Sequence, residues 1–245
     1  MHATRLYTLN QRPIDATKPF VLYWMTSARR PHYNFGLEHA IALANQHGVG
    51  LVVFEGLRMD YRWASERFHA FVRDGMLCNQ HTFKDSNATY IPYLETPEQS
   101  IKEVLWALID QSLAVVTDYF PAFFLPKMNK LVAEKCPVQF QQVDSNGIYP
   151  MGATDKAFTT AHSFRRHIQK TVAPFLNDFP LENHLETLQH TYTPSGEHFS
   201  EQQLNWFAQD VASIDLETLP IDHTIKAISD RKGGHIHAGV RLHNF

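Results

Sequence analysis

One uninterrupted apolar run, Phe-Val-Leu-Tyr-Trp-Met at residues 20–25, constrains the fold of this chain more than any other stretch. The run has the length of a strand and is rich in β-forming residues. Continuous apolarity of this kind is typical of a strand that is buried on both faces of a parallel sheet. A polar loop with two arginines follows directly, and a helical pattern begins after Asn34, a residue type favoured at helix N-caps. This order of strand, loop and helix predicts a doubly wound α/β sheet with the loop at its ligand-facing edge.

Four further runs have the composition of strands, and helical patterns separate them. They cover residues 51–54, 89–94, 113–117 and 138–143. Pro92 has no backbone N–H, which places the third strand at a sheet edge. Apolar and polar residues alternate over 138–143, which predicts a second edge strand with one half-exposed face. We therefore expect a five-stranded parallel, Rossmann-like sheet of order 3-2-1-4-5, with a crevice where the order reverses, above residues 25–29 and 117–118.

The two ends of the chain differ in composition from this central part. Residues 1–19 are polar and contain Pro13 and Pro19, so we expect no regular element there. Residues 177–245 are polar and interrupted by prolines, apart from a capping-box sequence at residues 200–203 that opens a short helix. The sequence thus divides into a lead-in (1–19), an α/β domain (20–176) and a C-terminal linker arm (177–245).

The helix after the second strand is predicted to begin at Asp60 and to bury one apolar stripe. Aromatic residues at helical spacing usually face a core. The stripe consists of Tyr61, Ala64, Phe68, Phe71 and Val72, whereas Trp63, Arg67 and His69 lie off it.

Composition argues against several classes of protein. The net charge of −3 gives no global positive field that would hold nucleic acid. No apolar run reaches membrane-spanning length, so we expect a cytoplasmic protein without a membrane partner. The cysteines, Cys78 and Cys136, fit no disulfide or metal spacing and are expected to be reduced and buried. The glycine-rich phosphate loops and the common hydrolase motifs do not occur.

Candidate ligand-binding residues lie at the predicted crevice. Met25, Ser27 and Arg29 follow one another at the end of the first strand, and the arginine fork would suit an anionic or polar cofactor edge. A salt bridge or a docking contact is the alternative role for this loop. Asp118 ends the fourth strand, where it either holds a polar cofactor atom or caps a turn. We assign no catalytic residue.

Two other groups of residues carry weaker signals. His235 and His237 lack a third ligand at a suitable spacing, so we assign no metal site. Arg165 and Arg166 would contact phosphates or a partner's acidic residues, or simply form the solvated face of a helix.

Short motifs spread over residues 20–245 resemble those of the photolyase/cryptochrome family, in particular a bacterial subgroup of deoxyribodipyrimidine photolyases related to class II. Each motif alone is weak, but their shared order along the chain is specific. The matching blocks are residues 23–25, 28–30 with Asn34, 60–61, 63–65, Arg67, 69–71, 74–76, 116–118, 120–121, 123–126, 143–147, 160–161, 164–166, 221–223 and 233–234.

The resemblance implies an antenna domain. In that family the α/β half is the antenna domain, and a separate helical half holds FAD and the flipped-out pyrimidine dimer. Residues 20–176 then correspond to the antenna domain, and residues 233–245 resemble only the opening of the helical half. The implied cofactor is an antenna chromophore, either a deazaflavin or a folate. FAD is implied only through the helical half, since no residue here matches the family's FAD, substrate or electron-relay positions.

The function implied is that of the antenna and scaffold half of a photolyase-like protein that repairs cyclobutane pyrimidine dimers with light. Its partner would be a separate helical FAD-binding half, its contact with damaged DNA would be indirect, and the isolated chain would be inactive. Two alternatives stay open: a free-standing chromophore or nucleotide binder without repair activity, and a degenerate remnant. On the first hypothesis the arm docks poorly by itself and leaves Trp206, Phe207, Val240 and Phe245 incompletely covered.

Overall fold

A six-stranded sheet lies at the centre of the protein, whose computed structural model describes residues 1–244. Five strands are parallel, and the short first strand runs antiparallel beside the last. The strands are β1 (Leu6–Thr8), β2 (Phe20–Met25), β3 (Gly50–Leu57), β4 (Thr89–Leu94), β5 (Ser112–Tyr119) and β6 (Gln139–Asp144). They lie in the order β1-β6-β5-β2-β3-β4. The parallel strands therefore follow the predicted 3-2-1-4-5 order, and the sheet has one strand more than predicted.

Helices connect the parallel strands and cover both faces of the sheet. They are α1 (Phe35–His47), α2 (Glu66–Phe83), α3 (Ile101–Asp110), α4 (Leu125–Lys135), α5 (Ala161–Thr171), α6 (Glu201–Phe207) and α7 (His235–His243). Helix α1 begins and ends as its sequence predicts. The side chain of Asn34 accepts a hydrogen bond from the N–H of Leu37 (3.1 Å), and Gly48 ends the helix with a φ of 67°, which glycine adopts at little cost.

The alternation of side chains along β2 builds two separate cores. Phe20, Leu22 and Trp24 face the side of α3 and α4, whereas Val21, Tyr23 and Met25 face the side of α1. All six side chains are buried, as expected for a central parallel strand.

The lead-in contains strand β1, contrary to the expectation of no regular element before residue 20. Because β1 pairs with β6, strand β6 is not an edge, and five of its six residues are buried. The side chain of Arg5 is fully buried and donates to the carbonyls of Asp144 (3.2 Å), Gly147 (3.2 Å) and Ile148 (2.7 Å). This anchor depends on distant carbonyls, so no local pattern in residues 1–19 predicts it.

The stripe predicted for the second helix is wrong. Helix α2 is capped by Ser65, not Asp60, and Phe68 and Phe71 are 51% and 53% exposed. The off-stripe residue His69 is instead buried, and its ring nitrogens lie 3.1 Å from the carbonyls of Ser65 and Arg58. Residues 60–65 are not helical, so extending a 3.6-residue period across them assigns the wrong face to the core.

The first part of the arm packs on the sheet, so the expectation of poor docking is wrong for Trp206 and Phe207. Trp206 is only 9% exposed and belongs to the core on the α3 and α4 side, where Phe207 also packs. Val240, in α7, is exposed as expected, and Phe245 lies outside the described residues. The division between domain and arm at residue 177 stays a prediction.

Strand β4 is an edge strand, as Pro92 predicts. A glutamine side chain covers the end of this edge. The amide of Gln209 donates to the carbonyl of Leu94 (3.1 Å) and accepts a hydrogen bond from the N–H of the same residue (2.8 Å).

Two expectations about the whole chain can be compared with these residues. Within residues 1–244, no helix is both long and apolar enough to cross a bilayer. Cys78 and Cys136 are both free and buried, as the sequence predicts.

Replacing Tyr192 by Ala tests whether the arm belongs to the same cooperative unit as the sheet. The ring of Tyr192 packs 4.7 Å from that of Phe20, and truncating a buried aromatic side chain costs about 3 kcal/mol of unfolding free energy. Urea denaturation of the variant should show this loss. Phe179→Ala is the control, because Phe179 is 63% exposed. Equal, small effects of both changes would mean that the arm is not part of the folding unit.

Candidate functional site

A cavity of about 630 Å³ opens at the carboxyl edge of β2 and β3. Trp24 and Phe54 form its floor, and α3 and α4 form its walls through Leu105, Trp106 and Leu131. Most of the lining side chains are apolar or aromatic. Both the volume and the lining are typical of sites that bind small organic molecules.

Basic side chains surround this cavity. They are Arg29, Arg58, Lys102, Lys127 and Lys135, and none of the described residues that line the cavity is acidic. The site therefore combines an apolar interior with a positive border, although the chain as a whole has a net charge of −3.

The carboxylate of Asp118 fixes the loop that follows β2. Its Oδ2 accepts hydrogen bonds from three consecutive backbone N–H groups, those of Thr26 (2.9 Å), Ser27 (2.8 Å) and Ala28 (3.0 Å). Its Oδ1 accepts a hydrogen bond from the hydroxyl of Tyr23 (2.6 Å). Asp118 is buried, so these bonds replace the water that its charge would otherwise require.

The same network continues to the arm through Asn34. Its side-chain amide donates to the carbonyls of Ala28 and Arg30, both at 3.0 Å. Its backbone N–H donates to Nε2 of His184 (3.1 Å). His184 is buried, so residues 177–188 help to hold the loop in place. Burial, together with the Asp118 carboxylate, raises the pKa of Tyr23 well above its usual value, which keeps this hydroxyl a hydrogen-bond donor.

Arg29 lies on the cavity side of the loop and is held by a second buried network. Its guanidinium donates to Oε1 of Glu55 (3.2 Å) and to the carbonyl of Gly56 (2.7 Å). Oε2 of Glu55 accepts further hydrogen bonds from the amide of Asn79 (2.8 Å) and the hydroxyl of Tyr90 (2.6 Å). Glu55 is therefore a buried carboxylate with a full set of donors, and it fixes the position of Arg29.

Comparisons with known proteins were made for the whole chain. No protein-family model matches it. Over 179 residues, 71% of the chain, it is 28% identical to the deoxyribodipyrimidine photo-lyase of Methanothermobacter thermautotrophicus. Over 174 residues, 69% of the chain, it is 26% identical to the deoxyribodipyrimidine photo-lyase of Arabidopsis thaliana. The chain is related to photolyases.

The structural comparison agrees with this relationship. A bacterial class III photolyase from Agrobacterium tumefaciens superimposes with a TM-score of 0.53 over 77% of the chain, at 11% sequence identity. The photolyase relative described here covers 39% and 34% of the length of the two curated relatives and 38% of the class III chain. The likeness to class II stays a prediction.

The structure brings the four predicted site residues of this photolyase relative together, but they face different ways. Met25 and Arg29 line the cavity, whereas Ser27 and Asp118 do not. Both carboxylate oxygens of Asp118 are occupied by the loop and by Tyr23, so turn capping accounts for its contacts. The roles of the four residues toward a ligand stay predictions.

Sequence reasoning missed most of the cavity wall. Trp106 and Leu131 lie in α3 and α4, far along the chain from β2, and no motif marks them. His235 belongs to a different surface, where its ring packs 5.3 Å from that of His32. Within residues 1–244, no cluster of three or more His, Cys, Asp or Glu residues is placed to hold a metal ion.

The stability of this photolyase relative should fall below about pH 6.5, because burial, with a smaller effect of His32, lowers the pKa of His184 to about 4. A histidine whose folded pKa is lowered stays neutral in the folded state while the unfolded chain takes up a proton. Its effect on stability is therefore absent above pH 6.5 and grows as the pH falls toward 4.

Urea unfolding of the wild type and of His184→Gln at pH 7.5 and pH 4.5 measures this effect. Glutamine keeps an acceptor for Asn34 but does not titrate in this range. We expect the wild type to lose more unfolding free energy between the two pH values than the variant does. Equal losses would show that His184 does not contribute.

Proposed function

We propose that this chain is the antenna and scaffold part of a photolyase-like DNA-repair protein, and that the cavity between α3 and α4 holds its chromophore. The whole protein would repair cyclobutane pyrimidine dimers with light. The observation that carries the proposal is a largely apolar cavity of about 630 Å³ at the carboxyl edge of the sheet, in a chain related to photolyases. Ligands of open α/β sheets bind outside the carboxyl ends of the strands.

The walls of the cavity suit a flat conjugated ring. Trp24, Phe54, Trp106 and Phe124 offer aromatic surfaces, and Leu105 and Leu131 close the space between the helices. Aromatic rings stack on such surfaces with a gain beyond burial alone. A deazaflavin or a folate, the two chromophores that the resemblance implies, has a ring system of this kind.

Titration with a deazaflavin and with a folate tests the cavity directly. Two of the four tryptophans, Trp24 and Trp106, line the cavity, so binding should quench part of the intrinsic fluorescence. Leu131 is 49% exposed on the wall formed by α4. Leu131→Trp should fill the groove and weaken binding at least about tenfold, a loss of about 1.4 kcal/mol.

Leu181→Trp is the matched control, because Leu181 is 54% exposed and lies outside the cavity. It should bind the chromophore as the wild type does. If Leu131→Trp and the wild type bind equally, the ligand occupies another place on the molecule. If neither chromophore binds the wild type, the antenna role is wrong.

We also propose that repair needs a helical, FAD-bearing part, in the same or another polypeptide, and that it docks on α2 and α7. The chain matches only 39% and 34% of the two curated relatives, so most of their length has no counterpart in it. Trp63 precedes α2, and Phe68 and Phe71 lie in its first turns; all three are exposed. On α7, Val240 and Leu242 are exposed as well. These exposed apolar side chains would gain cover from such a part.

The junction between the two helices brings these exposed side chains to one side of the molecule. Gly234, with a φ of 100°, lies so close to α2 that an added Cβ would be 2.6 Å from Sγ of Cys78. Only glycine allows this approach, which seats the start of α7 directly against α2.

The isolated chain should neither bind FAD stoichiometrically nor repair dimers under blue light. Flavin chemistry needs a pocket that orients the cofactor against its substrate, and the resemblance assigns that pocket to the helical part. Reconstitution with FAD, followed by an assay of dimer-containing DNA in light, measures both properties. Light-dependent repair by this chain alone would contradict the need for a second part.

A further inference from the structure

We infer that the cavity takes a planar, conjugated ring compound with an anionic tail, and that Lys102 and Lys127 bind the tail at the carboxyl edge of the sheet. The inference rests on the proposed function, because it names the chemical class of the ligand that the same cavity holds. It is carried by the position and the pairing of the basic residues around the cavity.

Lys102 and Lys127 stand on opposite walls of the cavity mouth. Helices α3 and α4 each begin where a parallel strand has ended, so their amino ends lie at the carboxyl edge of the sheet. Lys102 is the second residue of α3, Lys127 is the third residue of α4, and both line the cavity. Lys135, at the other end of α4, lies about 12 Å further down the groove at 1.5 Å per helical residue.

The arginines at the cavity are already neutralised, but these lysines are not. Arg29 pairs with Glu55, and Arg58 pairs with Asp60. In the described part of the chain, neither Lys102 nor Lys127 pairs with a carboxylate. Two positive charges at the mouth of an apolar cavity thus await a negative partner.

The helix termini strengthen this attraction. The amino end of a helix carries a partial positive charge, so acidic residues are favoured in the first turn and a lysine there is unfavourable. Helix α4 has no acidic residue in its first turn. The one in α3, Glu103, does not line the cavity and accepts a hydrogen bond from Gln99 (2.8 Å). A bound anion would meet two lysines and two helix amino ends at once.

The apolar interior and the positive mouth together define the ligand. The ring would lie on Trp24 and Phe54, away from water, and the charged tail would lie at the edge, between the two lysines. A carboxylate and a phosphate both satisfy this requirement, because each accepts charge-assisted hydrogen bonds from lysine. The class is therefore an aromatic ring compound with a carboxylate or phosphate tail.

Two pairs of probes separate the tail from the ring. Riboflavin and FMN share one ring and differ by a phosphate, whereas pteroic acid and folic acid share another and differ by a glutamate. Tryptophan quenching gives the affinity for each. We expect the member with the additional anionic group to bind about tenfold more tightly in at least one pair, as charge-assisted hydrogen bonds to lysine allow. The preference should shrink in 0.5 M NaCl, because salt screens exposed charges.

Lys127→Gln tests the residue and Lys130→Gln is its matched control. Lys130 lies one turn further along α4, is exposed, and does not line the cavity. Lys127→Gln should weaken binding of the preferred anionic probe about fivefold, in the range of one exposed charge pair. It should leave binding of the partner probe unchanged. Lys130→Gln should change neither affinity.

Each outcome separates this inference from the proposed function. Equal affinities within both pairs would overturn the anionic tail while leaving a ring-binding antenna site intact. An equal effect of Lys127→Gln and Lys130→Gln would overturn the assignment of Lys127. If none of the four probes binds, the proposed function fails and this inference fails with it.

Discussion

The three hydrogen bonds from consecutive backbone N–H groups to one oxygen of Asp118 determine the shape of the ligand-facing edge. Such a row of amides ordinarily forms a concave site for a phosphate or another anion. Here the protein's own carboxylate fills it, so residues 26–28 have one conformation before any ligand arrives. This conformation places Arg29 next to Glu55 at the cavity, and the hydroxyl of Tyr23 ties the arrangement to the central strand.

The sequence predicted well those parts of the fold that depend on local chemistry. The apolar run at residues 20–25, the Asn34 cap and Gly48 each act within a few residues, so they indicate β2 and α1 correctly. Strand β1 could not be predicted, because it exists through a buried arginine that bonds carbonyls about 140 residues away. The exposed face of α2 was predicted wrongly, because the period was counted from residues that are not helical.

The site was predictable only where it belongs to the central strand. Met25 and Arg29 end β2 or follow it, and the rule for open α/β sheets places them beside the cavity. The walls come from α3 and α4, whose separation depends on how their side chains pack on Trp24 and Phe54. No spacing along the chain encodes that separation. The charge of Asp118 suggested two roles equally, and only its hydrogen-bond partners distinguish them.

Gln209 has a consequence for how copies of this protein meet. In a β-strand the N–H and C=O of one residue point to the same side, so Leu94 and Pro92 both face outward from β4. Proline offers no donor there, and the glutamine amide already occupies both groups of Leu94. An incoming strand would find little to pair with along this margin. Contacts between copies at high concentration should therefore involve helix surfaces and not a continuous sheet, which protects the protein from fibrous aggregation at β4.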